Sequence, residues 1–187
     1  RDRLLTALAL VIVVPIGIFS AIYMVEYAKK GNKIVSIVRV TAETLSGIPS
    51  IVYGLFGMIF FVGVCNFGNS LLAGALTVAI MVLPTVMRTT EEALLSVPNS
   101  YREGSFGLGA GKLRTVFKVV LPSAVPGILS GIILATGRIV GETAALIYTA
   151  GTVAKVPESV FDSTRTLAVH MLSLIHISEP TRRSYIS

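Results

Sequence analysis

Residues 44–87 read TLSGIPSIVYGLFGMIFFVGVCNFGNSLLAGALTVAIMVLPTVM, and none of these 44 residues is charged. A helix needs about 20 mostly apolar residues to cross the bilayer core, so this stretch is too long for one crossing. Its polar, turn-prone centre at residues 65–70 divides it into two spans, near residues 46–64 and 71–87. Two further apolar runs predict spans at about residues 4–25 and 119–146.

The composition of the whole 187-residue chain fits the same class of protein. Hydrophobic residues make up 53% and charged residues 14%, and the mean hydropathy is +0.79. Soluble domains average about 25% charged residues, and disordered chains are less hydrophobic and more charged still. The net charge is +6, but the basic residues flank the apolar runs, so we expect a lipid environment and no nucleic-acid partner. The sequence therefore predicts an all-α polytopic membrane protein.

The distribution of basic residues predicts which loops face the cytoplasm. Residues 26–43 contain four lysines or arginines, residues 65–70 none, and residues 88–118 five. Cytoplasmic loops carry the excess of positive charge, so we place residues 26–43 and 88–118 in the cytoplasm. Part of residues 26–43 is expected to form an amphipathic interfacial helix. The first residues then lie outside the cell without an initiator methionine, which predicts that the natural protein begins upstream.

The predicted cytoplasmic loop at about residues 98–118 carries the most informative pattern. Glu103-Gly104-Ser105 is followed after three residues by Gly109, and after nine more by Val119-Val120-Leu121-Pro122. This spacing resembles the EAA loop of permease subunits from binding-protein-dependent ABC importers, which reads Glu-Ala-Ala, three residues, Gly, nine residues, Ile-x-Leu-Pro. Gly104 replaces an alanine, and glycine costs about 1 kcal/mol relative to alanine in a helix, so a weaker helix is expected.

The resemblance implies a fold and a set of residues that dock an ATPase. The fold is the MetI-like ABC importer permease fold, with a transmembrane domain at residues 1–172 that holds about four of the expected six spans. The chain is thus expected to be truncated at both ends. The ATPase-docking residues implied by the pattern are Glu103, Gly104, Ser105, Gly109, Leu121 and Pro122.

Three other stretches resemble the phosphate-specific branch of this family, the PstA permeases: Ser46–Gly57, Leu83–Pro98 and Gly137–Gly151. That likeness implies ATP-driven phosphate import across a bacterial inner (plasma) membrane. It also implies a PstC-like second permease, PstB-like ATPase subunits and a PstS-like extracytoplasmic binding protein. A permease for sulfate, molybdate or another solute, and a membrane scaffold that transports nothing, stay open as alternatives.

Arg138 and Glu142 are charged residues inside the predicted fourth span. An intramembrane charge costs at least about 2.5 kcal/mol on insertion scales, so such residues usually face a cavity or a partner. The planar guanidinium of Arg138 suits phosphate, and Glu142 can accept a proton from hydrogen phosphate or position Arg138. Thr143 can add a hydroxyl contact. The four-residue spacing also permits a structural ion pair, and pairing with the partner permease is a further alternative.

Motifs for catalysis, metal binding or a cofactor are not expected in this chain. The glycines of residues 107–112 resemble a phosphate-binding loop, but their spacing is too short and Leu113 follows the lysine in place of Ser or Thr. We therefore predict a transport subunit that is not an enzyme, with ATP hydrolysis in a separate subunit. Residues 173–187 resemble a translated sequencing adapter and are expected to be a non-native tail.

Overall fold

The computed structural model of the chain describes residues 2–29, 31–150 and 166–178. Within these ranges the secondary structure is helical and contains no strand, which confirms the all-α prediction. The α-helices are α1 (Asp2–Ile22), α2 (Lys33–Ser46), α3 (Ser50–Gly57), α4 (Leu71–Ser96), α5 (Asn99–Gly107), α6 (Lys112–Thr115), α7 (Leu121–Gly141), α8 (Ala144–Thr149) and α9 (Leu167–Ser178). Wider π-helical segments follow three of them, at Tyr23–Tyr27, Met58–Val64 and Val116–Val120.

Three helical segments are long and apolar enough to cross a membrane: Arg3–Tyr27, Leu71–Ser96 and Lys112–Gly141. A fourth candidate is α2 together with Ser50–Val64, separated by a break of a few residues. These three or four candidates in the described part of the chain agree with the prediction of about four spans. The helices at predicted spans 4–25 and 71–87 continue past the predicted ends, because a polar residue ends an apolar run without ending a helix. In contrast, the helix at predicted span 46–64 begins only at Ser50, and the helix at predicted span 119–146 ends at Gly141.

The described residues divide into two compact units, and the first comprises residues 2–11, 48–81, 137–150 and 166–178. Helix α3 packs on α8 in this unit. Gly54 faces Ala145, while Gly57 faces Thr77 and Thr149, and a Cβ on either glycine would come closer than 3.0 Å to these neighbours. Small residues permit such close approach between membrane helices.

The second unit comprises residues 12–29, 31–47 and 82–136. Its main core cluster joins the end of α1 to α4 and to the helix that begins at Lys112. The buried members of this cluster are Ala21, Ile22, Ala93, Leu94, Val97, Val116, Val120, Ala124 and Ile128. Gly127 and Gly131 of α7 lie directly against Ala93 and Thr89 of α4, so this GxxxG pair packs within the chain.

Helix α2 is attached to α4 by both apolar and charged contacts. Val35 and Ala42 are buried in a second cluster that contains Met87 of α4. The guanidinium of Arg39 forms an ion pair with the carboxylate of Glu91. A looser pair joins Arg88 to Glu43, with an N–O distance of 3.9 Å. These contacts hold one face of α2 against α4 and leave its opposite face exposed.

Candidate functional site

A helix–turn–helix element links α4 to α7 at the position of the predicted EAA loop. Helix α5 begins at Asn99, directly after Pro98, whose extended backbone (φ −56°, ψ 139°) ends the preceding segment. Past the end of α5, the amide of Ala110 donates to the carbonyl of Ser105 at 3.1 Å. Gly109 adopts φ +79°, a left-handed conformation that costs other residues roughly 1–2 kcal/mol. The glycine of the pattern is therefore required by the turn itself.

Ser105 fastens the two short helices of this element together. Its hydroxyl lies 2.8 Å from the hydroxyl of buried Thr115. The Thr115 hydroxyl in turn donates to the carbonyl of Gly111 at 3.2 Å. Ser105 is half-buried, whereas Glu103 and Gly104 are exposed. Ser105 thus makes a contact inside the element, whereas Glu103 and Gly104 are accessible from outside it.

Arg102 anchors the same element to the end of the first span. Its Nε and Nη2 atoms donate to Oε1 of Glu26 at 3.0 and 2.7 Å. Both side chains are largely buried, with exposed fractions of 15% for Arg102 and 8% for Glu26. The guanidinium also donates to the carbonyls of Leu94 at 2.9 Å and Val97 at 2.8 Å, at the C-terminal end of α4. One side chain therefore joins α5 to two membrane-spanning helices.

A cation–π contact adds a second link between the loop and the first span. The ammonium of Lys112 lies 5.3 Å from the centroid of the Tyr27 ring. Such contacts contribute about 0.5–1 kcal/mol at exposed sites. Together with the Arg102–Glu26 pair, it links both helices of the helix–turn–helix element to the segment at residues 23–27.

This element carries several exposed side chains, most of them apolar, which together we call the docking surface. It consists of Tyr101, Glu103, Phe106, Leu108 and Leu113, all of which are exposed. Leu108, at the tip of the turn, is 91% exposed. Grouped large apolar residues on a short, rigid element are typical of a surface that contacts another protein.

Leu121 and Pro122 lie at the start of α7 and play different parts. Leu121 is half-buried and packs on the core cluster around Val116 and Val120. Pro122 is exposed, and one residue separates it from the π-helical segment Val116–Val120. Because proline lacks an amide hydrogen, one helical hydrogen bond is missing there. These two residues belong to the joint between the loop and the span, at some distance in sequence from the turn.

Arg138 lies in the last turn of α7 and is exposed. It forms no ion pair with Glu142 or with any other residue that the structure describes. The guanidinium lies close enough to the phenol of Tyr53, in α3 of the same unit, for the two groups to interact electrostatically. A cation in the last turn of a helix is also stabilised by the helix dipole.

Glu142 lies in the break between α7 and α8. Helix α7 ends at Gly141, so the regular geometry that would pair Glu142 with Arg138 is interrupted. The carboxylate is buried, and its Oε1 accepts a hydrogen bond from the amide of Ala145 at 3.1 Å. Thr143 is half-buried, and its hydroxyl donates to the Gly141 carbonyl at 3.4 Å. The structure thus uses Glu142 to cap α8 and does not place it beside the Arg138 guanidinium.

Sequence reasoning missed the anchoring residues Arg102, Glu26 and Thr115. No local pattern pairs Arg102 with Glu26, because the two are 76 residues apart. The described residues also contain no group of three His, Cys, Asp or Glu side chains that could hold a metal ion.

These features define an all-α membrane protein with a helix–turn–helix element between two of its spans in the sequence. The element is fixed to membrane-spanning helices and carries an exposed, largely apolar surface. Residues 13–177 match the family described as binding-protein-dependent transport system inner membrane component. The chain belongs to this family, whose members are transport components of the inner membrane. The match runs past residue 172, and the predicted non-native tail at 173–187 stays a prediction; its residues 179–187 lie outside the described ranges.

Individual relatives agree with this assignment. The chain is 38% identical to the probable ABC transporter permease protein YqgI of Bacillus subtilis, over 91% of this chain and 64% of that protein. It is 40% identical to the phosphate transport system permease protein PstA 1 of Mycobacterium tuberculosis, over 76% of this chain and 46% of that protein. The chain thus spans about half to two thirds of the length of these relatives.

Solved structures show the same fold. A chain of the MetNI methionine ABC transporter in an inward-facing conformation has a TM-score of 0.61 and 21% sequence identity. The similarity covers 100% of this chain and 91% of that chain. The predicted MetI-like permease fold is therefore confirmed.

Proposed function

We propose that this chain is the membrane-spanning permease subunit of an ATP-driven phosphate importer. The observation that supports it most is the docking surface, which is exposed, apolar and held by Arg102 to two membrane-spanning helices. A movement imposed on this surface by a neighbouring subunit would reach α1 and α4 through that guanidinium. The transported solute would cross the membrane along the spans, while ATP would be hydrolysed elsewhere.

The partners we propose follow from this role. ATPase subunits resembling PstB would contact the docking surface, which includes Glu103. They would also contact Gly104 and Gly109, which are exposed and adjoin members of that surface in the sequence. A PstC-like permease would complete the translocation path, and a PstS-like binding protein would deliver the solute from outside the membrane.

Phosphate is the proposed solute for two reasons. The chain is similar to proteins named as phosphate transport permeases, at 36–43% identity. In addition, Arg138 carries an exposed guanidinium without a carboxylate partner among the described residues, and this group binds phosphate oxygens in pairs. Glu142 and Thr143 would then act from the adjacent turn, Glu142 by holding the start of α8 in place.

A charge at the tip of the docking surface should separate the subunits. In the assembled transporter, Leu108→Glu is expected to reduce co-purification of the ATPase subunit at least tenfold, since burying a leucine at an interface contributes about 1.5–3 kcal/mol. Leu108→Met keeps the size and apolar character and serves as the control. The measurement is the ratio of ATPase to permease after affinity purification from membranes.

The outcome also tests the scaffold alternative. If the ATPase stays bound to the Leu108→Glu variant at the control level, the docking role of this surface is wrong. If neither the control nor the unchanged protein retains any ATPase, a scaffold without transport is favoured.

Substitution of Arg138 should impair uptake without disturbing assembly. Arg138→Gln is expected to lower phosphate uptake by at least about tenfold, since a hydrogen bond to a charged group contributes about 1.5–3 kcal/mol. Lys118→Gln, an exposed change on the same continuous helix, is the control. Uptake of labelled phosphate into vesicles, with sulfate and molybdate as competitors, measures both the effect and the specificity. Unchanged uptake by Arg138→Gln would remove this residue from the path.

A further inference from the structure

We propose that the cavity between the end of α1 and the start of α2 binds one anionic phospholipid. The cavity has a volume of about 780 Å³ and is lined by twelve of the residues between Met24 and Glu43 and by Leu95. Small-molecule sites typically measure about 300–1,000 Å³, so the size suits a headgroup with its glycerol backbone. The site is separate from the docking surface and from Arg138.

The polar end of the cavity carries an excess of positive charge. Lys29, Lys33 and Arg39 line it together with a single carboxylate, that of Glu43. Arg39 is paired with Glu91, whereas neither lysine has a carboxylate partner among the described residues. Two ammonium groups are therefore free to bind an anion.

The N-terminus of α2 opens at the same place. Asn32 caps this helix, its Oδ1 accepting a hydrogen bond from the amide of Ile34 at 3.0 Å. Lys33 is the first helical residue, where a positive side chain adds to the positive end of the helix dipole. A bound phosphate group would offset this unfavourable arrangement of charge.

A second, apolar groove lies next to the cavity and supplies a place for an acyl chain. The groove has a volume of about 380 Å³, and Met24 and Val35 line both spaces. Its walls include the side chains of Phe19, Tyr23 and Ile34, each of which is exposed. A charged cavity beside an apolar groove matches a phospholipid, whereas inorganic phosphate would use the charged cavity alone.

The position along the chain places this site at a membrane surface. The candidate span Arg3–Tyr27 ends beside the cavity, so we expect the cavity to lie at the level of the lipid headgroups. The positive-inside rule assigns this end to the cytoplasm, where anionic lipids attract basic residues close to a span. We therefore expect the anion in this cavity to be a phospholipid of the cytoplasmic leaflet.

Native mass spectrometry of the assembled transporter, with phosphatidylglycerol or phosphatidylcholine added, tests the proposal. We expect phosphatidylglycerol to bind preferentially and the double substitution Lys29→Gln with Lys33→Gln to weaken it about 30-fold, since each lysine near an anionic surface contributes about 1 kcal/mol. Lys118→Gln, at the same end of another span, is the control and should bind normally.

A groove variant distinguishes the lipid from a free anion. Ile34→Asn changes an exposed residue and should weaken phosphatidylglycerol binding while leaving the affinity for inorganic phosphate, measured by calorimetry, unaltered. Equal binding of both lipids, or no effect of the double substitution, would overturn the proposal. Binding of inorganic phosphate that depends on the two lysines, with no loss of lipid in Ile34→Asn, would also overturn it and identify a free-anion site.

Discussion

Replacing Arg102 with alanine should uncouple the docking surface from the spans and destabilise the subunit by about 3–5 kcal/mol, the range for breaking a buried ion pair. The reason is that Glu26 would stay buried with its charge unpaired. The carbonyls of Leu94 and Val97 would also lose the hydrogen bonds that the guanidinium donates. We expect phosphate uptake by the assembled transporter to be lost even where ATPase subunits remain bound.

Three variants separate coupling from simple loss of fold. Arg114→Ala removes an exposed arginine of the same loop and should leave stability and uptake unchanged. The double variant Arg102→Gln with Glu26→Gln removes both charges, so it should recover much of the thermal stability without recovering uptake. Thermal unfolding and the ratio of ATP hydrolysed to phosphate transported are the measurements. Full uptake in the double variant would show that the guanidinium has no part in transmitting movement.

The substitution Gly57→Leu should destabilise the first unit by about 3 kcal/mol or more, because overpacking of this kind forces side chains or backbone to move. A side chain at this position would overlap Thr77 and Thr149. Neither threonine can move away easily, since their hydroxyls donate to the carbonyls of Ala73 and Ala145 at 2.8 Å. The expected result is a large fall in the melting temperature and in the yield of the membrane-inserted subunit.

Gly63→Leu provides the matched control for this prediction. Gly63 lies in the same helical segment, but a Cβ there would meet only the carbonyl oxygen of Met58, at 3.7 Å. The control should insert and unfold like the unchanged protein. Equal stability of the two leucine variants would contradict the close packing of α3 on α4 and α8.

The spans and the loop could be predicted from the sequence because both depend on local pattern. The uncharged run that ends at Met87, for example, identifies the span that the structure places in Leu71–Ser96. The turn was predictable since only glycine adopts φ +79° readily, and Gly109 stands at the required position. The predicted ends of the helices were less accurate. Hydropathy indicates where a segment leaves the membrane, whereas the hydrogen bonds that define a helix continue independently of that boundary.

The partners of the charged residues could not be predicted in the same way. Spacing alone made Arg138 and Glu142 neighbours on one helix face, but the helix ends between them and Glu142 caps α8. The Arg102–Glu26 and Arg39–Glu91 pairs join segments far apart in the sequence. Such pairs follow from tertiary packing, which a single sequence does not reveal. The roles of Glu103, Gly109 and Arg138 in docking and transport stay predictions.

The π-helical segment Val116–Val120 determines the phase of the helix that follows it. A π turn holds one residue more than an α turn, so each residue after it is rotated by about 100° from an uninterrupted register. With that offset, Gly127 and Gly131 meet Ala93 and Thr89 of α4. Loss of the extra residue would rotate α7, so that a face with bulkier side chains would meet α4. The extra residue ahead of Pro122 thus determines that the face of α7 with small residues packs against α4.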